Sequence, residues 1–174
     1  MAIRQILTEP NKALRQKSLK VDVVDQGIRK LMDDMLETMY AAPGIGLAAI
    51  QVGVPKRVIV LDIAKKDEPK QPMYFVNPEI IEKSQNNSSY EEGCLSVPGQ
   101  FAEIERPDRC HIKYLDYQGK SKEMKAEGML ATCIQHEMDH LEGILFIDYL
   151  SKLKRSMIVK KLSKQKKELE RIVV

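Results

Sequence analysis

The sequence lacks several features that would place it outside the ordinary globular class. It has no tryptophan and no apolar run close to the roughly 20 residues that a membrane-spanning helix needs. Residues 1–20 contain no apolar stretch of a secretory signal, and Glu9 makes them a poor transit peptide. The three cysteines are few and odd in number, which argues against a disulfide framework and for a reducing compartment. We therefore expect a cytoplasmic protein with no membrane partner.

What is present fits one folded unit with an uneven charge. The chain has 174 residues, 43% of them hydrophobic, and we expect a single domain over 1–174. Residues 151–174 carry nine basic and two acidic residues, a net charge of +7, although the whole chain carries only +3. The rest of the chain is therefore mildly acidic, at −4. A basic tail can dock on nucleic acid or can be a solvated helix face, and both interpretations stay open.

The spacing of apolar residues predicts the fold class. Apolar residues at three- and four-residue steps predict helices over 25–42, 128–141 and 152–171. Short apolar runs predict strands over 57–62, 73–76, 79–82, 111–117 and 120–125, with polar loops at 65–72 and 85–89. The strands do not alternate with helices as in a parallel sheet. We therefore expect an α+β protein, with antiparallel β-sheets packed around the helix 128–141 and a C-terminal helix.

The helix predicted over 128–141 carries the motif H-E-x-x-H. It reads His136-Glu137-Met138-Asp139-His140, and it uses two of the three histidines in the chain. Residues four apart lie on one helical face, so both imidazoles can reach the same metal ion. Glu137 would then stand beside an open coordination position, where it can act as a general base toward water. The motif predicts a mononuclear catalytic metal site.

A catalytic site of this kind needs a third protein ligand. Glu168 and Glu170 are available but lie in the basic tail, whereas Cys94 lies between a polar loop and a Pro-Gly turn and is the better candidate. Cys133 would share the helix face of His136 and His140. A closed structural site of two cysteines and two histidines is therefore the alternative, although it leaves Glu137 without a role.

Three segments together resemble the motifs of the bacterial peptide deformylase family. They are Gly44-Ile45-Gly46-Leu47-Ala48-Ala49-Ile50-Gln51, Glu92-Gly93-Cys94-Leu95-Ser96 and Gln135-His136-Glu137-Met138-Asp139-His140-Leu141-Glu142-Gly143. Their order and separations fit the family over nearly the whole chain. The resemblance implies an enzyme that removes the formyl group from the N-terminal formyl-methionine of nascent chains.

The resemblance also implies a role for each matching residue. The metal would be held by Cys94, His136 and His140, with a water completing the tetrahedron. Glu137 would be the general acid and base for attack by that water. The oxyanion donors would be Gln51 and the backbone N–H of Leu95. The substrate would be bound as an added strand along Ile45, Gly46 and Gly93, with Met129, Cys133 and His136 bordering the methionine pocket.

Cofactor and partners follow from the same resemblance. It implies Fe(II) in cells, with Zn(II), Ni(II) or Co(II) able to substitute. N-formylmethionyl peptides of nascent chains are the expected partners, with ribosome docking through the basic helix 152–171 and with neither DNA nor membrane. Two positions depart from the family pattern: Phe101 stands where arginine is frequent, and Ile50 where threonine or proline is common.

Two further functions remain as alternatives. H-E-x-x-H alone fits an ordinary metallopeptidase, although the usual downstream third ligand is missing because Phe146 stands where one such pattern has histidine. The basic tail and the possible closed metal site fit a zinc-stabilised RNA-binding module. Removal of the metal would unfold such a module, whereas an enzyme would lose activity first.

Overall fold

The computed structural model of the protein describes residues 2–173, with side chains over 2–171. This part of the chain forms three α-helices: α1 (Gln26–Ala41), α2 (Gly128–Leu141) and α3 (Lys152–Val173). It forms seven strands: β1 (Gly46–Ala48), β2 (Val58–Leu61), β3 (Met73–Lys83), β4 (Asn87–Cys94), β5 (Val97–Pro107), β6 (Arg109–Leu115) and β7 (Ser121–Glu127). Short 3₁₀ turns cover Lys12–Arg15, Ala49–Val52 and Phe146–Tyr149.

The strands form two antiparallel sheets. The first has five strands in the order β1-β2-β3-β6-β7, so β1 is an edge strand, and the second is the β4–β5 hairpin. The predicted α+β class with antiparallel sheets is therefore confirmed. The loop predicted over 85–89 is wrong for residues 87–89, because they begin β4 and pair with β5.

Strand β3 is longer than the sequence predicted. It runs without a break through Pro78, where two short strands were expected. Asn77 adopts a positive φ of 51° there, and the pairing with β6 shifts register between Val76 and Glu79. The Asn77 side chain exchanges two hydrogen bonds with the backbone of Val21, at 2.8 and 2.7 Å. This irregularity lets a proline, which has no N–H to donate, lie inside the strand.

The five-stranded sheet lies between α1 and α2, because alternate residues of a strand point to opposite faces. On β2, Val58 and Val60 pack with the buried face of α1, whereas Ile59 and Leu61 pack with α2. Asp25 caps the N-terminus of α1, because its carboxylate accepts a hydrogen bond from the N–H of Ile28 at 3.0 Å. The α2 face of this sheet is where the predicted metal motif lies.

The β4–β5 hairpin and α3 pack together through a separate apolar cluster. A third apolar cluster joins Val97 and Ile104 of the hairpin to Phe146, Ile147 and the buried Leu162 of α3. Over residues 2–173, no helix combines the length and the apolar character needed to cross a membrane.

The buried carboxylate of Asp34 on α1 gives a first testable prediction. It accepts hydrogen bonds from the Ala2 N–H (2.8 Å), from Lys30 (3.1 Å) and from Arg4 (2.9 and 3.1 Å). Burial alone would raise the pKa of Asp34, but these donors lower it to about 2, from 3.8. Because the folded pKa is the lower one, the stabilisation is complete above about pH 4 and is lost as the pH falls toward 2.

Between pH 6 and pH 3, we therefore expect the free energy of unfolding to fall by about 1 kcal/mol less in Asp34→Asn than in the wild type. Urea unfolding at the two pH values measures this difference. Asp67→Asn, in an exposed loop, is the matched control and should behave as the wild type. An equal loss in Asp34→Asn and in the wild type would contradict the assignment.

Candidate metal centre and active site

The three predicted ligand residues come together at the end of β4. His136 and His140 project from the same face of α2, with ring centroids 5.3 Å apart, and both are buried. Cys94 ends β4, and its Sγ lies 3.4 Å from Nε2 of His140. One donor atom from each of the three residues lies within 4.8 Å of the other two.

This cluster fits a tetrahedral metal ion. Metal–sulfur and metal–nitrogen bonds of about 2.3 and 2.0 Å place neighbouring donors roughly 3.5 Å apart in a tetrahedron, close to the Cys94–His140 distance. Cys133 is not a member of the cluster, and burial raises the pKa of its thiol to about 12, so it remains protonated. The three-ligand set leaves a fourth position free for water or substrate, as in catalytic sites.

Two charged residues, Glu92 and Arg106, hold His136 in place, a role that the sequence motifs did not predict. Glu92 accepts a hydrogen bond from Nδ1 of His136 at 2.8 Å. Arg106 contacts both oxygens of Glu92, at 2.7 and 3.0 Å, and also contacts Asp139 at 2.8 Å. Burial raises the pKa of Glu92, but the bonds from His136 and Arg106 lower it below its usual value. An ionised Glu92 fixes the proton on Nδ1 and leaves Nε2 of His136 free to bind a metal.

Glu137 lies beside the cluster as a buried carboxylate with few partners. Its Oε1 is 4.0 Å from Nε2 of His136, and among the described residues its Oε2 has no hydrogen-bond partner. Burial raises the pKa of Glu137 to about 7, and the negative charge of Glu92 acts in the same direction. A carboxylate with such a pKa can both accept and donate a proton near neutral pH.

Gly46 leaves just enough room for this carboxylate. A Cβ atom on Gly46 would lie 2.5 Å from Oε1 of Glu137 and 2.7 Å from Cδ2 of Leu61, closer than real atoms approach. We therefore expect Gly46→Ala to displace the Glu137 carboxylate and to lower kcat/KM by about tenfold to a hundredfold.

Steady-state kinetics of Gly46→Ala, with metal content and the thermal unfolding midpoint measured on the same sample, check this expectation. An intact fold with metal bound and activity lost would match it. Activity within twofold of the wild type would show that Glu137 is not held by this contact.

Gln51 reaches the cluster from the turn that follows β1. Its Oε1 accepts a hydrogen bond from the Ala48 N–H at 2.9 Å, which directs its Nε2 toward the site. That nitrogen donates to Oγ of Ser96 at 3.0 Å and lies 3.5 Å from Sγ of Cys94. The amide donor of Gln51 therefore faces Cys94 and Ser96 beside the cluster.

A cavity of about 700 Å³ opens over the cluster. Its wall includes all of the site residues that the sequence predicted except His140: Ile45, Gly46, Gln51, Gly93, Cys94, Leu95, Met129, Cys133, His136 and Glu137. His140 lies behind this wall, almost fully buried. A concave, mostly apolar cavity with a few convergent polar groups is the usual form of a small-ligand site.

Comparison with known proteins agrees with this geometry. The family model described as polypeptide deformylase matches residues 3–156. The peptide deformylase of Pelagibacter ubique is 67% identical over 174 residues, covering 100% of both chains, and that of Phenylobacterium zucineum is 64% identical over 167 residues, covering 96% of this chain and 99% of the relative.

Solved structures give the same result at the level of the backbone. The crystal structure of peptide deformylase from Ehrlichia chaffeensis has a TM-score of 0.92 and 45% identity, covering 96% of this chain and 98% of that one. The structure from the same organism in complex with actinonin has a TM-score of 0.91 and 48% identity, covering 95% and 98%. The resemblance noted in the sequence is thereby confirmed, and the chain belongs to the polypeptide deformylase family.

Proposed function

We propose that this enzyme removes the formyl group from the N-terminal formyl-methionine of nascent polypeptides and releases formate and a free amine. The observation that carries the proposal is the cluster of Cys94, His136 and His140 beside the buried Glu137, with Cys94, His136 and Glu137 lining one cavity. The active unit would be one domain over 1–174, built around α2 as the helix that carries H-E-x-x-H, and it would work in the cytoplasm.

In this proposal Cys94, His136 and His140 hold one divalent metal ion. When bound, such an ion polarises a carbonyl and lowers the pKa of a bound water to about 7. One thiolate and two imidazoles suit Fe(II) as well as Zn(II), Ni(II) and Co(II), so the ligands alone do not select the metal. We propose Fe(II) in cells, with the other three ions as functional substitutes.

Glu137 moves the protons of the reaction. Its carboxylate takes a proton from the attacking water and delivers it to the methionine nitrogen as the C–N bond of the formamide breaks. The raised pKa of Glu137, about 7, allows both steps without a second acid. The two products are then formate and the amino group of methionine.

Gln51 and Leu95 stabilise the negative charge that develops on the formyl oxygen. The side-chain amide of Gln51 is already held toward Cys94, and the backbone N–H of Leu95 follows that cysteine in the chain. Donors that are fixed before the reaction need no reorganisation during it, and each is typically worth about 3–4 kcal/mol in the transition state.

The substrate backbone lies along β1 in this proposal. The described strands pair with β1 on one side only, so its other edge can accept a peptide as an added strand beside Ile45 and Gly46. Gly93 also lines the cavity, and in this proposal its main chain, directly before Cys94, contacts the peptide backbone. Met129, Cys133 and His136 border the pocket for the methionine side chain, where the protonated Cys133 thiol acts as a small apolar group.

The activity can be tested by anaerobic reaction of the Fe(II)-loaded protein with formyl-Met-Ala. We expect equal amounts of formate and free amine, and no amine from acetyl-Met-Ala. A protein that binds one metal ion per chain but releases no formate would overturn the proposal. Cleavage of internal peptide bonds would instead support an ordinary metallopeptidase.

We further propose that α3 docks the enzyme on ribosomal RNA. The basic side chains of residues 152–171 are exposed, and among them an ion pair is seen only for Arg155, with Asp148 at 3.4 Å. Unpaired cations on one helix can bind phosphates, with affinity that falls steeply as salt rises.

Co-sedimentation with ribosomes at two salt concentrations tests this docking. We expect the triple variant Lys160→Glu, Lys164→Glu and Lys167→Glu to lose binding at low salt, whereas Lys65→Glu with Lys66→Glu, in an exposed loop of the acidic body, keeps it. Equal binding of the two variants would contradict the role of α3.

A further inference from the structure

Phe101 lies next to the metal ligands yet stays largely exposed. On the β4–β5 hairpin it is the cross-strand partner of Gly93, which directly precedes Cys94. Cross-strand partners have Cα atoms only about 4.5–5.5 Å apart. The ring therefore stands about one residue from Cys94, while 64% of its surface remains accessible.

The ring is held against the backbone of Gly93. A Cβ atom on Gly93 would lie 2.5 Å from Cε1 and 2.7 Å from Cδ1 of Phe101, so only glycine leaves space for this contact. One side of the ring is thus supported by main chain, and its remaining surface is free for a ligand in the cavity. An aromatic ring in such a position offers apolar area at little cost in conformational entropy.

Phe101 belongs to an apolar rim around the cavity, which we define as Ile45, Phe101 and Met129. All three side chains line the cavity, and their exposed fractions are 47%, 64% and 50%. Large apolar side chains exposed together at a cavity mouth mark a surface that a ligand covers. The charged residues of the described cavity wall are acidic, Glu91, Glu92 and Glu137, and the wall contains no lysine or arginine.

We propose that Phe101 is a specificity-determining residue that favours an apolar or aromatic side chain directly after formyl-methionine and disfavours an acidic one. This inference rests on the proposed function. Successive side chains of an extended peptide point to opposite sides. Glu92 and Cys94 of β4 contact histidines of α2, so the alternate residue Gly93 and its partner Phe101 lie on the other face of the hairpin. With methionine directed toward α2, we infer that the next side chain meets Phe101 and the acidic Glu91.

The test compares kcat/KM for formyl-Met-Leu-Ala and formyl-Met-Asp-Ala. Formyl-Met-Gly-Ala, which has no second side chain, normalises each protein for changes unrelated to that side chain. We expect the wild type to prefer leucine over aspartate by about fivefold to tenfold, the size of one apolar contact at a partly exposed site. Phe101→Ala should bring this ratio close to one, and Phe101→Arg should favour aspartate.

The matched control is Ile81→Ala, an apolar residue on β3 that is 52% exposed and lies outside the cavity, which should keep the wild-type ratio. Calorimetric binding of the products Met-Leu-Ala and Met-Asp-Ala gives the same comparison without turnover. A ratio that is equal in the wild type and both Phe101 variants, with formate still released, would overturn the role of Phe101 alone. Absence of formate from all peptides would instead overturn the proposed function.

Discussion

Replacing Glu137 with glutamine is expected to lower kcat by about a hundredfold to ten-thousandfold, the usual contribution of a general acid–base group. Glutamine fills the same space but cannot take a proton from water or return it to the amine. Cys94, His136 and His140 stay unchanged in this variant, so the metal should remain at one ion per chain. Anaerobic kinetics with formyl-Met-Ala and metal analysis of the same sample measure both expectations.

The stability of this variant separates a catalytic role from a structural one. Among the described residues Oε2 of Glu137 has no partner, and an unpaired buried carboxylate is costly. Glu137→Gln should therefore unfold at a midpoint no lower than that of the wild type. Glu142→Gln, at the exposed end of the same helix, serves as the control and should keep full activity. More than a tenth of wild-type activity in Glu137→Gln would refute the assigned role.

Helices α1 and α2 were predictable because each buries a stripe with helical spacing, whereas among the described residues of α3 the same spacing leaves only Leu162 buried. The spacing predicted both ends of α2, residues 128 and 141. It predicted the ends of α1 and α3 to within one or two residues of the observed bounds. The β4–β5 hairpin was missed because its pattern is not one of apolar alternation. Its inward positions include Glu92 and Arg106, charged residues that a hydrophobic pattern assigns to solvent, and its first residues are polar.

The site was predictable where a motif fixes it locally. The spacing of His136 and His140 places both on one helical face, and the Gly and Pro-Gly residues around Cys94 favoured it as the third ligand before the resemblance assigned it that role. Glu92 was missed because its contact with His136 joins residues 44 positions apart, and no local period encodes such a pair. The signal available in the sequence was its place directly before Gly93 and Cys94 in the second motif.

Removing the charge of Arg106 should strongly destabilise the fold. Its guanidinium is 4% exposed and bonds two carboxylates, Glu92 and Asp139. In Arg106→Leu the Glu92 carboxylate stays buried with His136 as its remaining partner. Breaking one side of a buried ion pair costs about 3–5 kcal/mol, because the other charge is left uncompensated. Urea unfolding of the zinc-loaded proteins at one fixed metal concentration measures this loss.

Arg109→Leu is the matched control, because that arginine is 62% exposed and its nearest carboxylate oxygen is 3.8 Å away. It should change the free energy of unfolding by less than about 0.5 kcal/mol. The double variant Glu92→Gln with Arg106→Leu should lose less than the sum of the two single variants, since no charge is then left unpaired on Glu92. The affinity for zinc is a second measurement, and a purely structural role of the Glu92–Arg106 pair would leave it unchanged. Because Glu92 orients His136, both single variants should bind zinc about tenfold to a hundredfold more weakly, and unchanged affinity would limit the Glu92–Arg106 pair to a structural role.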